Sequence, residues 1–425
     1  MQDRQNWDWT PGRRIVGDFD KWRPAYEYME EPHVSADGEK IAAIVKTGPE
    51  EFSVCVNGQP WESHFEKAWS LGFTQENCPV ALVSDTAMWT VAVDGVTWNN
   101  WYEFVWNPIF STKGSSITAA AQSELKYFAL TDDIPWENSF LALTCLIATP
   151  DGKNIAAVVQ DKRFAEADID NFQQGCFTVA VNGNAWDTHY VNVWDLDFSG
   201  DGSQVAAEVR TSLYDYTIAV NGKTWDKQYS CVWAPRFHPS DGSVSAPVKL
   251  AGGWSLARNG EVIWNRRYFQ LWHHIYSPDG NSIAAVTAPE FGRWTIAEDD
   301  QPWNLRFNEL ATDPVYSPGG DRIACVGKSG GKWYIAADDT IWDTPNDMAW
   351  QPVFSPDGSH VAAKAERDGR YTIVVDGRPV DEVFAAVMQP VFSPDGRRLL
   401  VKGILPESAG GQYCRHVFEV DALAP

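Results

Sequence analysis

The sequence predicts an all-β chain built from about ten copies of one four-stranded unit. Three observations predict it: a recurring Ser-Pro-Asp-Gly turn, short β-rich runs between turns, and tryptophans that keep step with those turns. Aligned on the turn glycine, the chain falls into register at Gly38, Gly114, Gly152, Gly202, Gly242, Gly280, Gly320, Gly358 and Gly396. Most steps are 38 or 40 residues. The step from Gly38 to Gly114 is 76, twice 38, and a degenerate unit fills it around Thr74–Asp85.

The elements of a unit follow in order from Pro314–Trp350, PVYSPGGDRIACVGKSGGKWYIAADDTIWDTPNDMAW. PVYS is a short apolar first strand and PGGD the turn after it. RIACVG is a second strand, KSGGK a second turn, and WYIAA a β-rich third strand. Then comes a tight third turn and a last short run, TIWD. Other units place Asn57-Gly58, Asp94-Gly95, Asn182-Gly183, Asn221-Gly222, Asn259-Gly260 or Asp376-Gly377 at that third turn. Such pairs accept positive φ and favour two-residue hairpins. Four strands of about five residues fit each unit. Four-stranded units of about 40 residues are the pattern of a β-propeller.

The last unit supplies only three runs: PVFS, RRLLVKG and YCRHVFEV. The segment before Pro32 is free to supply a fourth strand and close the ring. That favours one ten-bladed ring over the alternative of two five-bladed rings. The division is 1–31 for an N-terminal Trp/Arg segment and closing strand, 32–420 for the repeats and 421–425 for a tail. From Pro32 to about Val420 the P-x-F-S-P-D-G run resembles WD40-like repeats of the TolB type. That resemblance implies the fold and says almost nothing of function.

The bulk numbers narrow the function. The 425 residues are 44% hydrophobic and 21% charged, with a formal net charge of −23. So acidic a surface repels phosphate backbones, which argues against nucleic acid and for basic proteins or cations as partners. The seven Cys (Cys55, Cys78, Cys145, Cys176, Cys231, Cys325, Cys414) form no C-x-x-C pair and read as small core residues in a reducing compartment. No window of 18 apolar residues spans a membrane, and the N-terminus has no apolar signal core. A cytoplasmic chain is expected.

The 22 Trp sort by the repeat. Eight follow the third turn: Trp61, Trp98, Trp136, Trp186, Trp225, Trp264, Trp303 and Trp342. Four open the third strand: Trp89, Trp254, Trp294 and Trp333. Both groups read as packing in the wedge between blades. Six more, Trp69, Trp106, Trp194, Trp233, Trp272 and Trp350, precede the first strand and would form a partial collar at one mouth of the channel. Trp7, Trp9, Trp22 and Trp101 fall outside the period. With Arg13 and Arg14, the words NWDWTPGRR are residue types that anchor interfaces, or else a strand-end clasp on the last blade. These twelve side chains, the six collar Trp, the four outside the period and the two Arg, are the partner-binding candidates. The 50-residue step from Gly152 to Gly202 holds an insertion, Gln160–Gly175, at the second turn. Topology puts it on the collar's face.

Catalytic motifs fail one by one. GKSGGK lacks the first P-loop glycine, because that position is Arg322. No G-x-S-x-G elbow occurs, and His273-His274 has no partner at metal spacing. His189 and His238 look incidental. No enzyme, metal or cofactor is expected. Ser355, Asp357 and His360 read as a turn, with the serine capping it.

A WD40-like chain this rich in Trp, opening on NWDWTPGRR, resembles the tryptophan-rich subunits of the transmembrane Tmc redox complexes of sulfate-reducing bacteria. The resemblance implies a non-catalytic scaffold on the cytoplasmic side of the inner membrane. Its partners would be an iron–sulfur subunit of the heterodisulfide-reductase type, a membrane cytochrome b and, through them, a c-type cytochrome. Two rivals stand beside it. One is a ligand- or sugar-binding propeller, which needs polar groups on the innermost strands, where PVF, PVY, PRF and PIF suggest an apolar lining. The other is electron relay through the Trp themselves, whose spacing packing already explains.

Overall fold

The computed structural model describes residues 4–30, 32–163, 168–406 and 411–423. Ten antiparallel sheets follow one another along the chain. Numbered as blades 1 to 10, they cover 28–60, 67–97, 104–135, 142–185, 192–224, 236–262, 270–302, 310–341, 348–379 and 386–419. The degenerate unit is blade 2, where Thr74 and Asn77 (φ 59°) stand at the serine and glycine positions of the turn.

Blade 8 shows the plan, with strands Leu310–Tyr316, Ile323–Ser329, Lys332–Ala337 and Thr340–Ile341 pairing in chain order. The second strand is covered on both faces by neighbouring blades, so Ile323, Ala324, Cys325 and Val326 form one continuous buried run. The outermost strand is two residues long rather than the expected five, which leaves little exposed edge for stray pairing. The first turn is hydrogen-bonded as its letters predict. In blade 7 the Ser277 hydroxyl donates to Asp279 (2.6 Å) and accepts from the Ser282 amide (3.0 Å), while Gly280 sits at φ 79°. In blade 9 Ser355 likewise accepts from the His360 amide, and the His360 ring turns away to Asp376 (2.7 Å). The three residues are a turn. His238 is not incidental: it replaces the serine in blade 6, accepting from the Ser240 and Asp241 amides.

One ring closes, with the chain's two ends sharing a blade. Gly12–Asp18 pairs antiparallel with Gln412–Glu419 as the outer strand of blade 10. Blade 10 then packs on blade 1. The Tyr413 hydroxyl donates to the Gly38 carbonyl (3.0 Å), the Lys402 ammonium to that of Ala36 (3.0 Å) and the Arg415 guanidinium to that of Asp37 (2.9 Å).

In blades 1 to 9 the third turn makes the seam with the preceding blade. Where the turn's second residue is glycine, the preceding blade's Trp lies flat on it. A methyl group on Gly95, Gly183, Gly222, Gly260 or Gly377 would come within 3.7 Å of Trp61, Trp136, Trp186, Trp225 or Trp342. Where it is aspartate, the carboxylate caps the chain beyond that Trp. Asp133, Asp300 and Asp339, all at positive φ, accept from the amides of Asn99 and Asn100, Asn265 and Arg266, and Asn304 and Leu305 respectively. A buried hydroxyl in the third strand anchors the same segment: Thr217, Thr295 and Thr372 donate to carbonyls ten residues on, at Lys227, Leu305 and Glu382.

Candidate functional site

The innermost strand of most blades is broken at one level. Directly after the collar position the backbone takes positive φ at Ser70, Asn107, Cys145, Asp195, His273 and Asp313. The ladder shifts register there in all six blades. In blades 6, 9 and 10 a proline (Pro235, Pro352, Pro390) splits the strand one residue later. Each bulge frees one residue from the ladder. These residues meet their counterparts across blades: Gln389 donates to the Gln351 carbonyl (2.6 Å), and Cys145 feels the charge of Asp195. Ser70, Asn107, Cys145, Asp195, His273, Gln351 and Gln389 are exposed. The expected apolar lining is therefore corrected: at this level the innermost strands offer a polar ring. Cys145 is likewise no core residue, whereas Cys55, Cys176, Cys325 and Cys414 are buried.

The collar Trp precede these bulges. Trp69 is 63% and Trp233 38% exposed, while Trp106, Trp194, Trp272 and Trp350 are half-buried. All but Trp69 pack on the third-strand aromatic of their own blade: Trp106 on Tyr127, Trp194 on Tyr216, Trp233 on Trp254 (5.2 Å), Trp272 on Trp294 (4.7 Å) and Trp350 on Tyr371. Cations cover several of these stacks. The Lys364 ammonium lies 4.2 Å from the Trp350 ring centre and 4.8 Å from that of Tyr371. Lys249 lies over Trp254 and Arg210 over Tyr216.

The N-terminal candidates sit elsewhere, against blade 10. Trp7 and Trp9 stack on each other (5.9 Å), and the Trp9 indole donates to the Arg4 carbonyl. Arg398 donates to the Trp9 carbonyl and Arg415 to that of Asp8. Arg13 pairs with Glu382 (2.8 Å) and Arg14 with Glu39. The clasp thus uses the charges that stood as interface anchors. Trp22 belongs to the period after all. It lies over Gly58 of blade 1 as Trp61 lies over Gly95, and serves as blade 10's seam tryptophan. Trp101 is half-buried in the segment leading from blade 2 to blade 3.

A cleft of about 400 Å³ opens where blades 5, 6 and 7 meet the channel, lined by Asp195, Trp233, Arg236, Trp272, His273 and His274 among others. Behind Asp195 lies Glu208, on the second strand beside Trp194. That position is Ile44, Leu82, Ala120, Val158, Pro247, Val286 and Val326 in seven blades and a lysine (Lys364, Lys402) in two. Glu208 is 6% exposed, and burial and the Asp195 charge, with no side-chain hydrogen bond among the described residues, set its state. Burial first, and the Asp195 charge second, push its carboxyl up to about 8. His274 is buried at the cleft's edge with Nε2 2.8 Å from the Ser245 hydroxyl, and burial pulls it down to about 3. Arg236 is engaged by Asp197 at 3.6 Å. Sequence reasoning missed Glu208. Its signal was an acid inside VAAEVR, where sibling strands read IAAIV and IACVG.

The second-turn face carries the insertion as expected. It lies between Ile155–Gln160 and Phe177–Val181 and includes a short helix, Ile169–Gln174, while 164–167 fall outside the described residues. Exposed apolar side chains gather on this face: Phe104, Leu125, Phe172, Leu213, Tyr214 and Phe291, the last 81% exposed. Phe269 and Phe291 form an edge-on pair (5.3 Å).

No family model matches the sequence, and no curated protein matches it. Among solved structures the chain is similar to a eukaryotic initiation factor, at 13% identity over 78% of this chain and 91% of that one, with a TM-score of 0.48. It is similar to TolB from Acinetobacter baumannii, at 14% identity over 73% and 78%, with a TM-score of 0.32. It is also similar to the Cps50 (Swd1) β-propeller domain of Myceliophteria thermophila, at 15% identity over 65% and 96%, with a TM-score of 0.32. Likenesses of this size carry no argument about function. The chain's own strand pairing makes it a ten-bladed, WD40-like β-propeller closed by its N-terminal strand.

Proposed function

We propose that the propeller is a non-catalytic scaffold that docks partner proteins through its second-turn face. The observation that supports this is the apolar crescent from blade 3 to blade 7, with Leu125, Phe172, Leu213, Tyr214 and Phe291 standing out from turns that a solitary blade would keep polar. Aromatic side chains of this kind form the buried centres of interfaces. The setting we infer is the cytoplasmic side of a membrane-associated electron-transfer complex, beside an iron–sulfur subunit and a membrane cytochrome b. The Trp-rich, WD40-like character of the chain supports that setting. In this reading the N-terminal segment serves closure, which the Arg13–Glu382 and Arg14–Glu39 ion pairs support.

The test is co-purification of the tagged full chain with co-expressed iron–sulfur and cytochrome b subunits. Iron and a haem absorbance band are expected in the eluate. Leu213→Asp with Phe291→Asp lowers both at least tenfold while the circular dichroism spectrum is unchanged. Full retention by that folded variant overturns the docking face, and an eluate free of iron and haem overturns the redox setting.

A further inference from the structure

The repeat itself reveals what the collar stacks accept. In blade 9 the chain sets its own ammonium, Lys364, against Trp350 and Tyr371. In blade 6 Lys249 covers Trp254, on which Trp233 stacks. Blade 7 has the closest pair, Trp272 and Trp294, and among the described residues no cation lies over either ring. Its equivalent of Lys364 is Val286. Trp272 instead opens into the cleft that Trp233 and Asp195 line. Glu208, buried and within reach of the Asp195 charge, stands behind Asp195 in the position where blade 9 keeps its lysine.

We propose that this cleft binds a small organic cation, a primary or alkylated ammonium, held against Trp272 and Trp233 and neutralised by Asp195 with Glu208 behind it. An ammonium is attracted to the face of a tryptophan ring, the more so where water is excluded. The charges around the cleft favour that sign. Arg236 is already paired with Asp197, and His274 is held neutral by its burial. The other titratable groups near the carboxylates are His273 in the bulge, Cys145 facing Asp195, Cys231 beside Glu208, and two cations already set over rings, Lys249 on Trp254, whose charge also reaches Cys231, and Arg210 on Tyr216. An incoming cation favours the ionised form of Glu208, so binding releases a proton near neutral pH.

The experiment is isothermal titration of the full chain with choline chloride, ethylammonium chloride, glucose and sodium acetate, in two buffers of different ionisation enthalpy. At least one of the two ammonium salts binds, with proton release, and glucose and acetate do not. Asp195→Asn and Glu208→Gln each lower the affinity at least tenfold, and Glu208→Gln abolishes the proton release. Trp272→Phe, which keeps an aromatic plate, is weakened less than Trp272→Leu. Gln389→Ala, across the channel, is unaffected. Absence of binding by both ammonium salts, preference for glucose or acetate, or binding indifferent to Asp195→Asn in a folded variant overturns the proposal.

Discussion

At the scale of single residues, Glu208 makes stability depend on pH between 4.5 and 8. Its folded-state pKa, about 8, lies above its ordinary value of 4.5. Below pH 4.5 the carboxyl is protonated whether folded or unfolded and costs nothing. As pH rises, the unfolded chain ionises first, and stability falls by about 1.4 kcal/mol per pH unit until the folded carboxyl also ionises near 8. Glu208→Gln should flatten that decline, and urea midpoints measured from pH 4 to 9 on both proteins check it. His274 acts at the other end. Its pKa is pulled below the ordinary 6.5, so the stability it gives is present above 6.5 and lost as pH falls towards 3. Glu208→Gln should leave that acid limb in place. His274 stood out in the sequence only as half of a His pair, and Glu208 did not stand out at all. A strand covered on both faces has no alternation to violate, so an acid among VAAEVR was visible only by comparing blades. The polar ring was hidden for a related reason: a bulge puts the next side chain on a different side, and reading PVF and PIF with period two placed the lining one residue away.

At the scale of elements, the third turn carries two interchangeable seam devices, glycine under a Trp ring or aspartate capping two amides. This yields a ranked prediction for Asp339, which sits at φ 62° and accepts from the amides of Asn304 (2.9 Å) and Leu305 (2.7 Å). Asp339→Ala loses both caps and keeps a side chain at positive φ, so a loss of about 1–2 kcal/mol is expected. Asp339→Gly loses the same caps but relieves the backbone and lets Trp303 settle on the turn, so it should cost less. The order of the two urea midpoints tests the device. The sequence displayed the Asn-Gly and Asp-Gly pairs as hairpin signals, and that much was legible. Their second task, at the seam, lies between residues some 34 positions apart and is absent from any local pattern. The anchoring hydroxyls of the third strand escaped for the same reason.

At the scale of the whole molecule, the ring depends on one joint made by both ends of the chain. The missing fourth run of the last unit announced that joint, and Gly12–Asp18 fills it. What the sequence could not display is that Trp22 is the seam tryptophan of blade 10, because that blade is assembled from residues nearly 400 apart and the period cannot cross the termini. Arg415 bears most on the joint. It is 3% exposed, donates to the carbonyls of Asp37 and Asp8 and lies 3.1 Å from a Glu39 carboxylate oxygen. Removing a buried charge that satisfies so many partners costs about 3–5 kcal/mol. Arg415→Met should therefore loosen the clasp before the blades melt. Limited proteolysis should cut before residue 19 at least tenfold faster than in the wild type, while far-ultraviolet circular dichroism at 25 °C stays the same. Arg415→Lys should rescue little, since one ammonium cannot reproduce the fork that spans blade 1 and the N-terminal segment. Equal cutting rates in wild type and Arg415→Met would place the closure in strand pairing and Trp22 alone, and Trp22→Ala would then be the variant that opens the ring.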